Sequence, residues 1–184
     1  MKVQKHDVHL FQISMTMKYN EAKDKFIQTW GTLGSSWGIS RTMAQVHALL
    51  LISPEVLSAE EIMEDLKISR GNANMTIRDL MDWGLVYKEL KAGERKEFFR
   101  AEKDIWKVAK QIIKERRKRE IVPVLEILEE LKKVEGNKTD KKHKALVDAV
   151  TNIESVVDKA DFALERAIKL DENALVGALF KLFK

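Results

Sequence analysis

The chain has 184 residues, 45% of them hydrophobic, the composition of an ordinary globular protein and not of a disordered one. Its 33 Lys+Arg against 29 Asp+Glu leave a formal charge of +4, which permits nucleic-acid binding without demanding it. The absence of cysteine excludes disulfides, thiolate nucleophiles and Cys-ligated zinc, and suits a reducing cytoplasm.

Residues 1–18 read as a poorly structured leader, with Met15 or Met17 as alternative starts, because helical periodicity begins only near Tyr19. The N-terminus lacks the apolar core of a signal peptide. Phe26, Ile27, Trp30 and Leu33 then lie three or four apart, the stripe of an amphipathic helix over residues 20–36, with Gly34 and Gly38 at its fraying end. Ser40 is placed to cap a second helix, whose residues Met43, Val46, His47, Leu49, Leu50 and Ile52 are apolar on most sides, so that helix belongs in the core. It stops at Ser53-Pro54. The apolar run at residues 48–52 is the longest and far too short to cross a bilayer, so no membrane partner and a cytoplasmic location are expected.

Ser58 with Glu61 three residues on forms a capping box that opens a helix with Ile62, Met63 and Leu66 inward. Ser69 caps the next, which places Ala73, Ile77, Leu80 and Met81 on one side and stops at Trp83-Gly84. Two short helices joined by a tight turn make a helix-turn-helix. The period then changes: residues 85–90 and 96–100 read as strands around the turn at Ala92, Gly93, Glu94 and Arg95, a two-stranded wing. Ile105, Trp106, Ala109, Ile112 and Ile113 resume a helical stripe, and Ile121, Val124, Leu125, Leu128 and Leu131 make another, with Pro123 bending the chain or beginning that second helix.

Residues 135–138 are the clearest linker, followed by a cap at Thr139 or Asp140. Beyond it Leu146, Val150, Ile153, Val157, Ala160, Leu164 and Ala167 alternate spacings of four and three, a heptad-type seam. Such a seam meets another helix, and dimerisation is assigned to Leu146, Val150, Ile153, Val157 and Leu164. A last amphipathic piece carries Leu175, Val176, Leu179, Phe180 and Phe183. The expected fold is mostly α with a small two-stranded wing: a leader at 1–18, a winged helix-turn-helix domain at 19–104 and a helical dimerisation region at 105–184, so that N- and C-terminal dimerisation helices flank the DNA-binding unit.

The order helix, helix, helix-turn-helix, wing, helix is that of the winged-helix fold, whose second helix of the pair enters the major groove. With Ala73, Ile77 and Leu80 inward, Gly71, Met75 and Arg78 point outward, and Arg70, Asn72 and Asn74 surround the helix start. Arg offers paired donors to guanine and Asn pairs with adenine, while the Ser69 hydroxyl and the first amides of the helix hold a phosphate. Each residue also has a plainer role: Ser69 as a cap, Asn72 and Asn74 as solvated polar groups, Arg78 paired with Asp82. Lys91, Arg95 and Lys96 on the wing suit phosphates or the minor groove, and equally suit a soluble hairpin edge. Residues 85–120 hold 13 Lys+Arg against 7 Asp+Glu, whereas residues 55–68 hold 1 Lys against 5 Asp+Glu, so the first helix of the pair should face away from phosphate.

The stretch Phe26, Ile27, Gln28, Thr29, Trp30, Gly31, then Trp37, Gly38, Ile39 with Arg41, then Leu49, Leu50, Leu51 and Leu57, Ser58, is similar to the GbsR group of MarR-like regulators. Closer still are the eight residues from Ile68 to Met75, followed by Leu80, the Trp83, Gly84, Leu85, Val86 run and a wing with Gly93, Glu94, Arg95 and Lys96. The likeness spans about residues 20–130 and implies a dimeric winged-helix repressor or regulator. It supports Ser69, Gly71, Asn72, Asn74 and Arg78 at the DNA and Arg95 and Lys96 on the wing. Some members of that group govern uptake or synthesis of glycine betaine and respond to choline, so Trp30, Trp37, Trp83 and Trp106 are weighed as an aromatic cage against the plainer role of core or interface residues.

The expected partners are double-stranded DNA with a pseudo-palindromic operator, a second copy of the chain, and a small-molecule effector of open identity. The alternatives are a winged-helix protein-interaction module, for which an outward Met75 speaks, and a nonspecific DNA-binding protein. No catalytic residue, cofactor or metal is assigned. His6 and His9 fall in the leader and His47 and His143 in separate helices, and no nucleophile motif or phosphate-binding glycine loop is visible.

Overall fold

The computed structural model describes residues 17–36, 38–135 and 140–170. The leader up to residue 16, Trp37, linker positions 136–139 and the amphipathic piece bearing Leu175, Val176, Leu179, Phe180 and Phe183 lie outside the described residues.

Helix α1 (Tyr19–Ser36) packs along α2 (Arg41–Ile52), which is buried over most of its surface as its all-round apolar sequence requires. Gly34 does not mark a fraying end. It is buried inside α1, where a Cβ would lie 2.5 Å from the Ala44 Cβ, so only glycine lets the two helices approach this closely. The turn between them is made at Gly38, whose φ of 75° glycine adopts without strain. Ser40 holds the N-cap position of α2 but makes no side-chain capping bond.

Strand β1 (Leu57–Ser58) leads directly into α3 (Ala59–Leu66), and the capping box forms: Ser58 N–H donates to Glu61 Oε2 at 2.7 Å and Glu61 N–H to Ser58 Oγ at 3.3 Å. Lys67 closes α3 with φ 53°, and Ser69 Oγ then accepts the Asn72 N–H at 3.3 Å to open α4 (Arg70–Asp82). Buried Ala73, Thr76, Ile77 and Leu80 form the inner face of α4, while Met81, expected inward, is exposed. Gly84 at φ 66° ends the helix and starts β2 (Val86–Leu90), which pairs antiparallel with β3 (Glu97–Ala101), Val86 opposite Ala101 and Leu90 opposite Glu97.

The wing is not limited to two strands. β1 pairs with the other edge of β3, Leu57 opposite Phe99, giving a three-stranded sheet in the order β1-β3-β2. This pairing covers the edge of β3 that a bare hairpin would leave open. Between helices and sheet lies one apolar cluster that includes Ile27, Val46, Leu49, Leu50, Ile62, Ile77, Leu80, Val86, Phe99 and Val108. Lys103 ties the sheet to α2: its ammonium donates to the carbonyls of Leu50, Leu51 and Ser53 at 2.7–2.8 Å, satisfying acceptors that the helix end leaves without intrahelical donors.

Asp104 caps α5 (Ile105–Arg116) through the Trp106 and Lys107 amides. A π-helical turn, Arg117–Ile121, joins it to α6 (Val122–Leu131). The cause is Pro123, the second residue of α6: its ring has no N–H and would clash with the Arg119 carbonyl, and the wider turn, in which Val122 N–H reaches Arg117 O, relieves this. Asp140 caps α7 (Lys141–Lys169), which returns against α5, the π turn and α6. None of the described helices is long and apolar enough to cross a membrane.

Candidate nucleic-acid interface

Helix α4 presents Ser69, Arg70, Gly71, Asn74 and Met75 to solvent along its N-terminal half and Arg78 one turn further on, and the inward set of Ala73, Ile77 and Leu80 fixes that orientation. Asn72 is half-buried and turned back on the helix: its Oδ1 accepts the Thr76 hydroxyl at 3.3 Å, which leaves its amide N–H groups as outward donors. Gly71 has helical backbone, and a Cβ added there would meet no atom within 4 Å, so nothing in the chain requires glycine at this place. Close approach of another backbone from outside is what a missing side chain at an open helix start provides.

The charges around α4 are unequally engaged. Arg70 lies 3.6 Å from Glu60 of α3, with both side chains exposed. Arg78 forms no ion pair among the described residues, and the pairing with Asp82 expected from their spacing is not made. On the sheet, Lys88 pairs with Glu97 and Arg100 with Glu89, which occupies the strand cations. Lys91 stands 4.3 Å from the Phe98 ring centre in a cation–π contact. Arg95 and Lys96 at the turn make no ion pair among the described residues, so with Arg78 they are among the cations available to a partner.

Lys96 also lines a small acidic groove between α3 and the wing with Ser58, Glu60, Glu61, Glu64, Glu94 and Phe98. The Ser58 backbone and hydroxyl hold the Glu61 carboxyl below its ordinary range, with smaller help from Lys91 and Lys96. The acidic helix thus stands beside the wing rather than on the exposed face of α4.

The α7 seam is divided between two surfaces. Val150 is buried and Val157 and Leu164 half-buried, whereas Leu146 and Ile153 are exposed, Ile153 to 52%. The inward face is completed by polar links that spacing did not reveal: Arg117 reaches Asp161 with two hydrogen bonds of 2.5 and 2.8 Å, and Lys132 holds Glu154 at 2.7 Å. The outward face adds Val156, 67% exposed, and α6 leaves Val124, Ile127 and Leu131 in solvent.

Of the tryptophans weighed as a cage, Trp30 and Trp83 line one apolar cavity, Trp106 lies outside its lining, and Trp37 is outside the described residues. The described residues contain no group of three or more His, Asp or Glu placed to hold a metal. Sequence reasoning missed Lys103, Arg117 and Asp161, and no local spacing announces them, since their partners lie about 40–50 residues away.

Residues 33–103, from the end of α1 through the wing, match the profile of a family described as sugar-specific transcriptional regulator TrmB. The fold resembles a solved structure described as the crystal structure of a transcriptional regulator, with a TM-score of 0.51 and 20% identity over 79% of this chain and 99% of that one. No curated protein matches the sequence. At that identity the structural likeness establishes the winged-helix architecture.

Proposed function

We propose that the chain is a sequence-specific double-stranded DNA-binding transcriptional regulator, a repressor in the simplest reading, that acts as a homodimer and carries no enzymatic activity. The observation that carries this is the exposed outer face of α4, with Asn74 and Arg78 in solvent, beside a wing whose Arg95 and Lys96 make no ion pair among the described residues. In that arrangement Arg78, Asn72 and Asn74 read base edges in the major groove. Ser69, Arg70 and the first amides of α4 hold a phosphate, Gly71 admits the DNA backbone, and Lys91, Arg95 and Lys96 lie along the flanking strand.

The division at residues 104 and 105 separates DNA reading from dimerisation, with Leu146, Ile153 and Val156 of α7 and Val124, Ile127 and Leu131 of α6 as the apolar surface a second copy covers. Val150, Val157 and Leu164 then support that surface from the inner side of α7. Both matches are to transcriptional regulators and neither names the GbsR or MarR group, so that closer kinship rests on the residue motifs alone. A regulator of this kind works in the cytoplasm.

Selection from random duplexes at two salt concentrations, with stoichiometry recorded, tests the reading. The expected result is an inverted repeat bound by two chains, with half-sites about 34 Å apart. A monomer at micromolar concentration, or equal affinity for every duplex, overturns it. Met75, 59% exposed at the centre of the same face, favours a second reading as a protein-interaction module. Arg78→Ala separates the two, since it relaxes base discrimination by about 1–3 kcal/mol only if α4 reads DNA.

A further inference from the structure

A cavity of about 320 Å³ opens where α1, α2, α4 and α5 meet, walled by Trp30, Met43, Leu80, Trp83 and Ile112 among other apolar residues. Protein interiors are close-packed, with few voids larger than a water molecule, so a space of this size is of ligand dimensions. One polar side chain belongs to the lining: His47 on α2, only 3% exposed, whose buried Nε2 has no hydrogen-bond partner. Leaving such an atom unpaired is unfavourable, as is leaving an apolar cavity unfilled, and one bound molecule would remove both penalties.

We propose that this cavity is an effector site for a neutral, largely apolar small molecule carrying one hydroxyl group, an aromatic or bicyclic alcohol in shape, whose hydroxyl meets His47 Nε2 once the ring turns toward the cavity, since Nε2 itself is covered as the side chains stand. Three features select that chemistry. Burial, assisted by the Lys103 charge, lowers the His47 pKa from 6.5 to about 4, so the ring is neutral at pH 7 and its Nε2 donates or accepts according to tautomer. A hydroxyl satisfies either tautomer. No carboxylate is among the lining residues, so a quaternary ammonium would find no counter-charge in the cavity wall. A sugar is equally ill-suited, since a single polar partner would leave most of its hydroxyls buried and unpaired.

The site deepens the proposed function and rests on it only for its effect on DNA. Leu80 and Trp83 belong to the end of the helix that reads bases, so a molecule packed against them biases that helix directly.

Calorimetric titration of the whole protein with naphthol, naphthalene, choline and glucose tests the site without DNA. The expected result is one naphthol per chain, bound about tenfold more tightly than naphthalene, with no binding of choline or glucose. His47→Phe keeps a ring of similar shape and should erase the preference for naphthol, and Ala109→Phe should block both aromatic probes in a chain that circular dichroism shows to be folded. Absence of naphthol binding, equal binding of naphthalene, or tighter binding of choline overturns the assignment. Repeating the duplex titration with saturating naphthol should shift DNA affinity at least about tenfold, and an unchanged affinity overturns the effector role. Naphthol binding by a protein that selects no duplex would instead overturn the DNA-binding reading and leave the site standing.

Discussion

The two halves of the chain solve burial differently. Up to α5, helices and sheet close around one apolar cluster whose members all fall between Ile27 and Val108. Beyond it, Leu128 and Val150 are the only buried apolar residues among those described, and the inner face of α7 adds two ion pairs, Arg117 with Asp161 and Lys132 with Glu154, to half-buried Val157 and Leu164, while its other face stays apolar and exposed. A region whose described residues bury this little and keep Ile153 and Val156 in water has the character of a surface that a partner covers, which is the basis of the dimer proposed above. The difference teaches that the winged-helix half closes its own core, whereas the C-terminal half leaves an apolar face in solvent, the face proposed above for a second copy.

The largest effect that would sharpen this contrast is Leu50→Ala in the saturated core, expected to lower stability by about 3 kcal/mol in urea unfolding. A loss below about 1 kcal/mol would show that the core is looser than its burial suggests. Nearly as large is the pH response of the same half. The unfolded chain protonates its histidine near pH 6.5 whereas folded His47 does so only near 4. Protons therefore favour unfolding across that window, and stability falls by up to about 3 kcal/mol as pH drops from above 6.5 to about 4, levelling off below it. His47→Phe should flatten this part of the profile. The loss from Glu61 and Asp161, whose carboxyls are held below their ordinary range by Ser58 and Arg117, comes only at lower pH.

In the other half, Asp161→Ala should cost about 1 kcal/mol, the worth of a partly exposed ion pair, and should raise hydrogen exchange in α7 while leaving α2 protected. Equal exchange in both helices would merge the two halves into one cooperative unit. The smallest change in protomer stability, within about 0.5 kcal/mol, is expected for Ile153→Glu, although sedimentation should show the dimer dissociating. A dimer that survives this substitution places the interface elsewhere.

Most of the winged-helix half was legible because its signals are local. The Ser58–Glu61 box, the Ser69 cap and the Gly84 stop each act within one turn of chain and appear where the sequence puts them. β1 was not legible, since two residues carry no periodicity and pair with a strand some 40 residues later. Gly34 was misread because a glycine that ends a helix and one that admits a neighbouring helix look alike until Ala44 is seen against it. The heptad pattern of α7 identified an apolar helix but not how its sides are shared, because Asp161 and Glu154 occupy the inward face through partners on distant turns. The outward residues of α4 followed from periodicity alone, whereas the cavity beside it, assembled from four helices, did not.

The π turn at Arg117–Ile121 has a geometric consequence for the proposed dimer. One surplus residue in a helix rotates everything after it by about 100°. The angle between the side of α5 that grips the winged-helix half and the side of α6 that meets α7 is therefore set by a residue count. Removing or adding a single residue there would re-aim the exposed apolar face of α6 and α7 like a gear advanced by one tooth, which in the proposed dimer would change the distance between the two copies of α4 while leaving the outward side chains of α4 untouched.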